Sequence, residues 1–244
     1  MRIPRIHTSR PLGAGATIAL EEEPSHHIGR VLRMRVGDAL ILFNGDGSEY
    51  PGRIAAIERR HVDVAIERVE PAVRESALAL ELGIAVSKGE RMDWVIQKAT
   101  ELGVAKIAPL LTERVEVRLQ GEREEKKLAH WQAIAISACE QCARNRIPAI
   151  AAPVALSEWL GATTAERKFV LHHRSDSALQ SAAAAPSSVA LLIGPEGGLS
   201  DLEIAQAERG GFEALRLGPR VLRTETAPLA AVSVLQFLWG DMGA

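Results

Sequence analysis

The stretch LLIGPEGGLSDLEI, residues 191–204, decides how the rest of the chain is read. An apolar run ends at Gly194, Pro195-Glu196-Gly197-Gly198 follow, and a helical pattern resumes. Strand, glycine-rich turn and helix is an arrangement many nucleotide sites use. This turn lacks the Lys-Ser/Thr of a phosphate loop and the G-x-G-x-x-G spacing of a dinucleotide fold. Ser200-Asp201-Leu202-Glu203 forms a capping box, so the helix begins at the exit of the loop.

A second crossing of the same kind comes next. The strand EALRL (213–217) runs into LGPRVLRTETA, and an apolar helix closes the chain. Upstream, ALALELGIAVS (77–87) reads as a buried strand, and RMDWVIQKATELG (91–103) as a helix ended by Gly103. VAKIAPLL (104–111) is a strand, 122–144 a long helix, Ser157 the start of a short helix, and KFVLHH (168–173) a strand. Alternating strands and helices over 77–240 predict an α/β domain with a mostly parallel sheet. Both glycine-proline loops then lie at the carboxyl ends of strands, where open α/β sheets bind ligands. Glycines let backbone groups approach a flat ring closely, which suits an adenosine held by main-chain hydrogen bonds.

The N-terminal part has another texture. TIAL (17–20), DALILF (38–43), EYPGRIAAIE (49–58) and HVDVAIERV (61–69) read as short strands, and Asn44-Gly45-Asp46-Gly47 as a hairpin turn. HHIGRVLRMR (26–35) fits a short basic helix. Strands at this spacing predict a small β-barrel, and Pro71–Ser76 a linker.

The chain has 244 residues, 47% of them hydrophobic and 25% charged, with a net charge of −2. No global basic field announces nucleic acid, but the charge is uneven. Arg2, Arg5, Arg10, Arg30, Arg33 and Arg35 face only Glu21, Glu22 and Glu23 in the first 35 residues. No apolar signal core or bilayer-length segment is evident, which predicts a cytoplasmic protein. Cys139 and Cys142 fall within a helical pattern with no second pair, and read as packing cysteines.

IGPEGGLSDLE together with LGPRVLRTETA resembles the SPOUT methyltransferase superfamily, most closely its bacterial 16S rRNA uridine-N3 methyltransferase family. MRIPRI, HHIGRVLRMRVGD, FNGDGSEY, DWVIQKATELGV, TERV and EQCARNRIP extend the resemblance over nearly the whole chain. It implies an α/β protein with a PUA-like RNA-binding β-barrel over 1–72 and a SPOUT domain with a deep trefoil knot over 73–244. It also implies S-adenosylmethionine as cofactor, 16S rRNA of the small ribosomal subunit as substrate, and no metal. The cofactor site would comprise Leu171, His172, Leu192, Ile193, Gly194, Pro195, Glu196, Gly197, Leu217, Gly218, Leu222 and Thr224.

Uracil N3 is a poor nucleophile until its imide proton leaves, and the developing charge spreads to O2 and O4. Arg223 is assigned to that charge, with Arg220 second, and Glu225 or Glu196 to the proton. Glu225 also reads as an acid favoured at a helix start. The six N-terminal arginines are assigned to rRNA phosphates. Gln141, Arg144 and Arg146 read as phosphate or partner contacts, and Lys98 with Glu101 as a pair across a helical turn or as groups facing RNA. The C-terminal helix is apolar on nearly every side, and with the resemblance this implies a homodimer. A ribose 2′-O-methyltransferase and a non-catalytic RNA-binding assembly factor remain as alternatives.

Overall fold

A computed structural model describes residues 3–72, 74–117, 119–172 and 184–243. Arg2 and His173 lie outside them. The chain divides into two compact units, Met1–Glu75 with Cys139–Ile147, and Ser76–Ala138 with Pro148–Ala244.

The first unit is built on one sheet. Its strands are β1 (Arg5–His7), β2 (Thr17–Ala19), β3 (Ala39–Phe43), β4 (Ser48–Ile57), β5 (Val62–Ile66) and β6 (Glu70–Pro71). They lie in the order β1-β3-β4-β5-β2, with β6 also paired to β4. The 44–47 turn joins β3 to β4 as its sequence predicts: Gly45 and Gly47 take φ of 93° and 100°, where a side chain would be strained. Asp46 accepts from the Ser48 amide at 2.8 Å and from the Tyr50 hydroxyl at 2.6 Å, which pins the turn. Strand β1 was not legible as a strand, because three residues show no alternation; it pairs parallel to β3. The expected basic helix begins earlier, as α1 (Glu22–His26), and continues as a π-helical turn, His27–Val31. Ile6, Ile28, Leu40, Leu42, Ile54 and Val64 fill the core of this unit.

Cys139–Ile147 joins this unit through buried polar bonds. The Arg5 guanidinium binds Glu49 and Asn145, and donates to the Arg144 carbonyl at 3.3 Å. Arg74 also reaches Glu49, and Arg144 pairs with Glu75 at 2.6 Å. Burial pushes the Glu49 carboxyl up, and the guanidinium groups of Arg74 and Arg5 outweigh it and leave it below the usual range. Cys139 is fully buried, and burial pushes its thiol up to about 12.

The second unit is a parallel sheet. Its strands are β7 (Ala79–Ala85), β8 (Lys106–Leu111), β9 (Ala149–Ile150), β10 (Val154–Ala155), β11 (Arg167–Leu171), β12 (Ser188–Ile193) and β13 (Glu213–Leu215). Every pairing among them is parallel, in the order β10-β8-β7-β12-β11-β13, with β9 beside β8. The helices are α2 (Arg91–Glu101), α3 (Glu122–Cys142), whose last residues from Cys139 belong to the first unit, α4 (Leu156–Ala162), α5 (Asp201–Arg209) and α6 (Thr226–Trp239). Gly103 follows α2 with φ of 83°, the left-handed stop read from the sequence. Ser157 lies inside α4; the residue before that helix is Ala155, which offers no side-chain cap.

Strand β12 enters between two strands already laid down, β7 and β11. Val189, Ala190, Leu191 and Leu192 are wholly buried, as a strand covered on both faces requires. Carbonyl-end loops of the adjacent strands β12, β11 and β13 are thereby brought side by side.

Arg5→Ala should cost about 3–5 kcal/mol of stability, because it strands Glu49 in the interior. Urea unfolding followed by circular dichroism would measure it, and Arg5→Met with Glu49→Leu should recover much of the loss. Acid should act on the same unit. Burial pushes Glu21 up, but hydrogen bonds from Ser9 and Thr8 bring it from 4.5 to about 2. A carboxyl depressed on folding stabilises above its unfolded pKa and loses that contribution as pH falls through the folded value. Stability should therefore decline from about pH 4.5 toward pH 2, and Glu21→Gln should flatten the decline.

Candidate ligand pocket at three strand ends

The pocket is made by the loops that leave β11, β12 and β13. Leu171 lies opposite Leu215 in the parallel ladder, and the His172 amide donates to the Leu215 carbonyl at 3.0 Å. These bonds hold the first and third loops together. The second loop leaves β12 at Ile193 and folds back through a Gly198 amide to Pro195 carbonyl bond of 2.8 Å. Gly198 takes φ of 70°, a value that suits glycine.

The second loop is braced from outside. The Arg114 guanidinium donates to the Gly197 carbonyl at 2.6 Å, and Arg91 on α2 pairs with Glu196 at 2.6 Å. Its exit is fixed by the capping box read from the sequence. Ser200 Oγ accepts from the Glu203 amide at 3.2 Å, and Glu203 accepts from the Ser200 amide at 2.8 Å. The other Glu203 oxygen accepts from the Glu113 amide at 2.8 Å, so one buried carboxylate ties this loop to the loop after β8.

These loops enclose a cavity of about 360 Å³, within the range of small-molecule sites. Among the residues singled out from sequence, Leu171, His172, Ile193, Gly194, Pro195, Glu196, Gly197, Leu217, Leu222, Thr224 and Arg220 line it. Leu192 and Gly218 do not: Leu192 is packed in the core, and Gly218 turns the third loop with φ of 69°. Arg223 is exposed, and its carbonyl accepts from the Thr226 and Ala227 amides at 2.9 Å, at the start of α6. Glu225 faces a second cavity, with Trp94 and Gln97.

Sequence reading missed Arg114, Asp201 and Arg216, which also line the first cavity. Arg114 stands in TERV, where only its distance from GPEGG hid its role. The N-terminal arginines divide. Arg10, Arg30, Arg33 and Arg35 are exposed. Arg5 is buried and committed to Glu49 and Asn145, so it presents no cation to a phosphate. Arg144 is likewise buried against Glu75, whereas Lys98 and Glu101 pair at 2.7 Å as expected.

An RNA methyltransferase domain model matches residues 74–236, and an RNA methyltransferase PUA domain model matches residues 20–67. The ribosomal RNA small subunit methyltransferase E of Buchnera aphidicola is 38% identical over 99% of this chain and 98% of its own length. The chain belongs to the ribosomal RNA small subunit methyltransferase E family. A methyltransferase of Legionella pneumophila, solved with its cofactor SAM, is 45% identical with a TM-score of 0.96, covering 99% of this chain and 100% of that one. The family enzyme of Neisseria gonorrhoeae, bound to S-adenosyl methionine, is 36% identical with a TM-score of 0.92, at 99% and 100% coverage.

The pocket depends on Gly194. A Cβ there would lie 2.9 Å from Leu199 Cγ and 3.0 Å from the Leu199 amide nitrogen. Gly194→Val should displace the second loop and cost about 1–3 kcal/mol, read as a lower urea midpoint, while far-ultraviolet circular dichroism stays that of the wild type.

Proposed function

We propose that this chain methylates N3 of a uridine in 16S rRNA, using S-adenosylmethionine bound in the three-loop cavity. The family membership supports the reaction class, and the SAM-bound relatives support the cofactor. The observation that carries the assignment is the cavity itself. Its apolar walls, Leu171, Ile193, Leu217 and Leu222, suit an adenine ring, and its charged lining, Arg114, Arg216 and Arg220 with Glu196 and Asp201, suits the carboxylate and ammonium of a methionine end. When bound, S-adenosylmethionine supplies an electrophilic methyl group on that sulfonium.

The chain's part is to bind the base and move one proton. Glu225 takes the imide proton, leaving the N3 lone pair free to accept the methyl. Glu196 is the weaker base candidate because Arg91 already occupies its carboxylate. Arg223, with Arg220 three residues before it, steadies the charge that develops on O2 and O4. Arg10, Arg30, Arg33 and Arg35 hold rRNA phosphates, and the N-terminal unit acts as a PUA-like barrel, in keeping with the PUA match. The late insertion of β12 between β7 and β11 is consistent with a trefoil-knotted second unit.

The working form is a homodimer. Helix α6 leaves Val234, Phe237 and Leu238 exposed, with Phe237 at 64%, an apolar face that a second copy would cover. Sedimentation equilibrium should return twice the monomer mass at micromolar concentration, and Phe237→Asp should shift it toward one.

Mass spectrometry of 16S rRNA treated with the protein and S-adenosylmethionine should find one added methyl on a uracil base. A ribose methyl, or none, would reject the reading. Replacing Arg30, Arg33 and Arg35 together with Ala should weaken rRNA binding and reduce the salt slope by roughly 3. Calorimetric affinity for S-adenosylmethionine should be unaltered in that variant.

A further inference from the structure

We infer that the second cavity, walled by Trp94, Gln97, Glu90, Arg91 and Glu225, is the seat of the target base, with the Trp94 indole as its stacking surface. The inference rests on the methyltransferase reading and deepens it.

Position comes first. Glu225 faces this cavity, while Thr224, the residue before it, faces the cofactor cavity. Arg91 lines the second cavity and pairs at 2.6 Å with Glu196, which lines the first. Two consecutive loop residues and the two ends of one ion pair therefore line different cavities. Arg91 and Trp94 stand three apart on α2 and so share a face.

Chemistry selects the occupant. Trp94 is 51% exposed, an unusual position for the largest aromatic side chain. The Lys98 ammonium lies 5.1 Å from its ring centroid. Aromatic side chains presented to single-stranded nucleic acid gain affinity by stacking on bases, whatever their sequence. Glu90, Asp93 and Glu225 outnumber Arg91 in the lining, so the cavity disfavours phosphate. A neutral base with an imide N–H meets acceptors there instead. Gln97 offers both an amide donor and a carbonyl acceptor for the rest of the base edge. The cavity, about 620 Å³ and open to solvent, admits a base turned out of its strand.

Neighbouring groups leave this surface in place. Asp93 on the same helix is engaged by Lys127, His130 and the Trp131 indole at 2.9, 2.7 and 3.1 Å, which fixes α2 against α3. Trp94 is thus held on a braced helix.

The test compares wild type, Trp94→Ala and Trp94→Phe on an unmethylated 16S rRNA fragment containing the target uridine. Trp94→Ala should lower kcat/KM by about tenfold or more, the scale of one lost base stack, and Trp94→Phe should restore most of it. S-adenosylmethionine affinity and the salt slope of RNA binding should match wild type in both. With 4-thiouridine at the target position, irradiation should crosslink the RNA to the peptide carrying Trp94. Full activity of Trp94→Ala, or crosslinking elsewhere, would overturn the inference while leaving the methyltransferase reading intact. A change in sedimentation mass for Trp94→Ala would also overturn it, since the indole would then belong to a subunit contact. Lack of methylation by wild type would instead reject the underlying reading.

Discussion

The site depends on β12 being paired on both edges. A parallel strand buried on both faces has to satisfy its backbone N–H and C=O groups with two neighbours, because no water reaches it. β12 does so against β7 over six residues and against β11 over four. With β13 on the other side of β11, three loops leave the sheet from adjacent positions. Slippage of β12 by one residue would turn Leu191 and Leu192 to opposite faces and misplace Gly194. The position of the pocket is therefore set by the strand register.

Around that frame the loops are stiffened by few but well-placed charges. Glu203 serves two loops at once: one oxygen caps α5 and the other holds the Glu113 amide. Arg114 and Arg91 grip the glycine-rich loop at its carbonyl and its carboxylate. Exposed ion pairs such as Arg91 with Glu196 contribute little to stability, typically under about 1 kcal/mol. Their worth lies in geometry, since they decide where the loop rests before any ligand arrives.

Distance along the chain separates the features that were legible in the sequence from those that were hidden. The capping box, the Gly103 stop, the 44–47 turn and the apolar run that ends at Gly194 are local patterns, and each was legible. The two glycine-proline loops were legible as partners because strand polarity places both at the same edge of a parallel sheet. Arg5 was misjudged because its partners, Asn145 and Arg144, come 140 and 139 residues later. An arginine among arginines looks like surface until a buried carboxylate claims it. Arg114 escaped for the same reason, 83 residues from the carbonyl that it holds. Trp94 read as part of a helix motif, and only its exposure in the folded chain gives it another meaning.

The buried Cys139 has a further consequence. A thiol that burial pushes up to about 12 stays protonated at neutral pH, and its side chain is sealed from reagents. Alkylation at this position can proceed only while the first unit is open, so its rate counts openings. Cys142, three residues on, is part-buried and serves as a comparison within the same helix. The chain thus carries a built-in gauge of how often its N-terminal unit comes apart, readable as the mass of one added alkyl group.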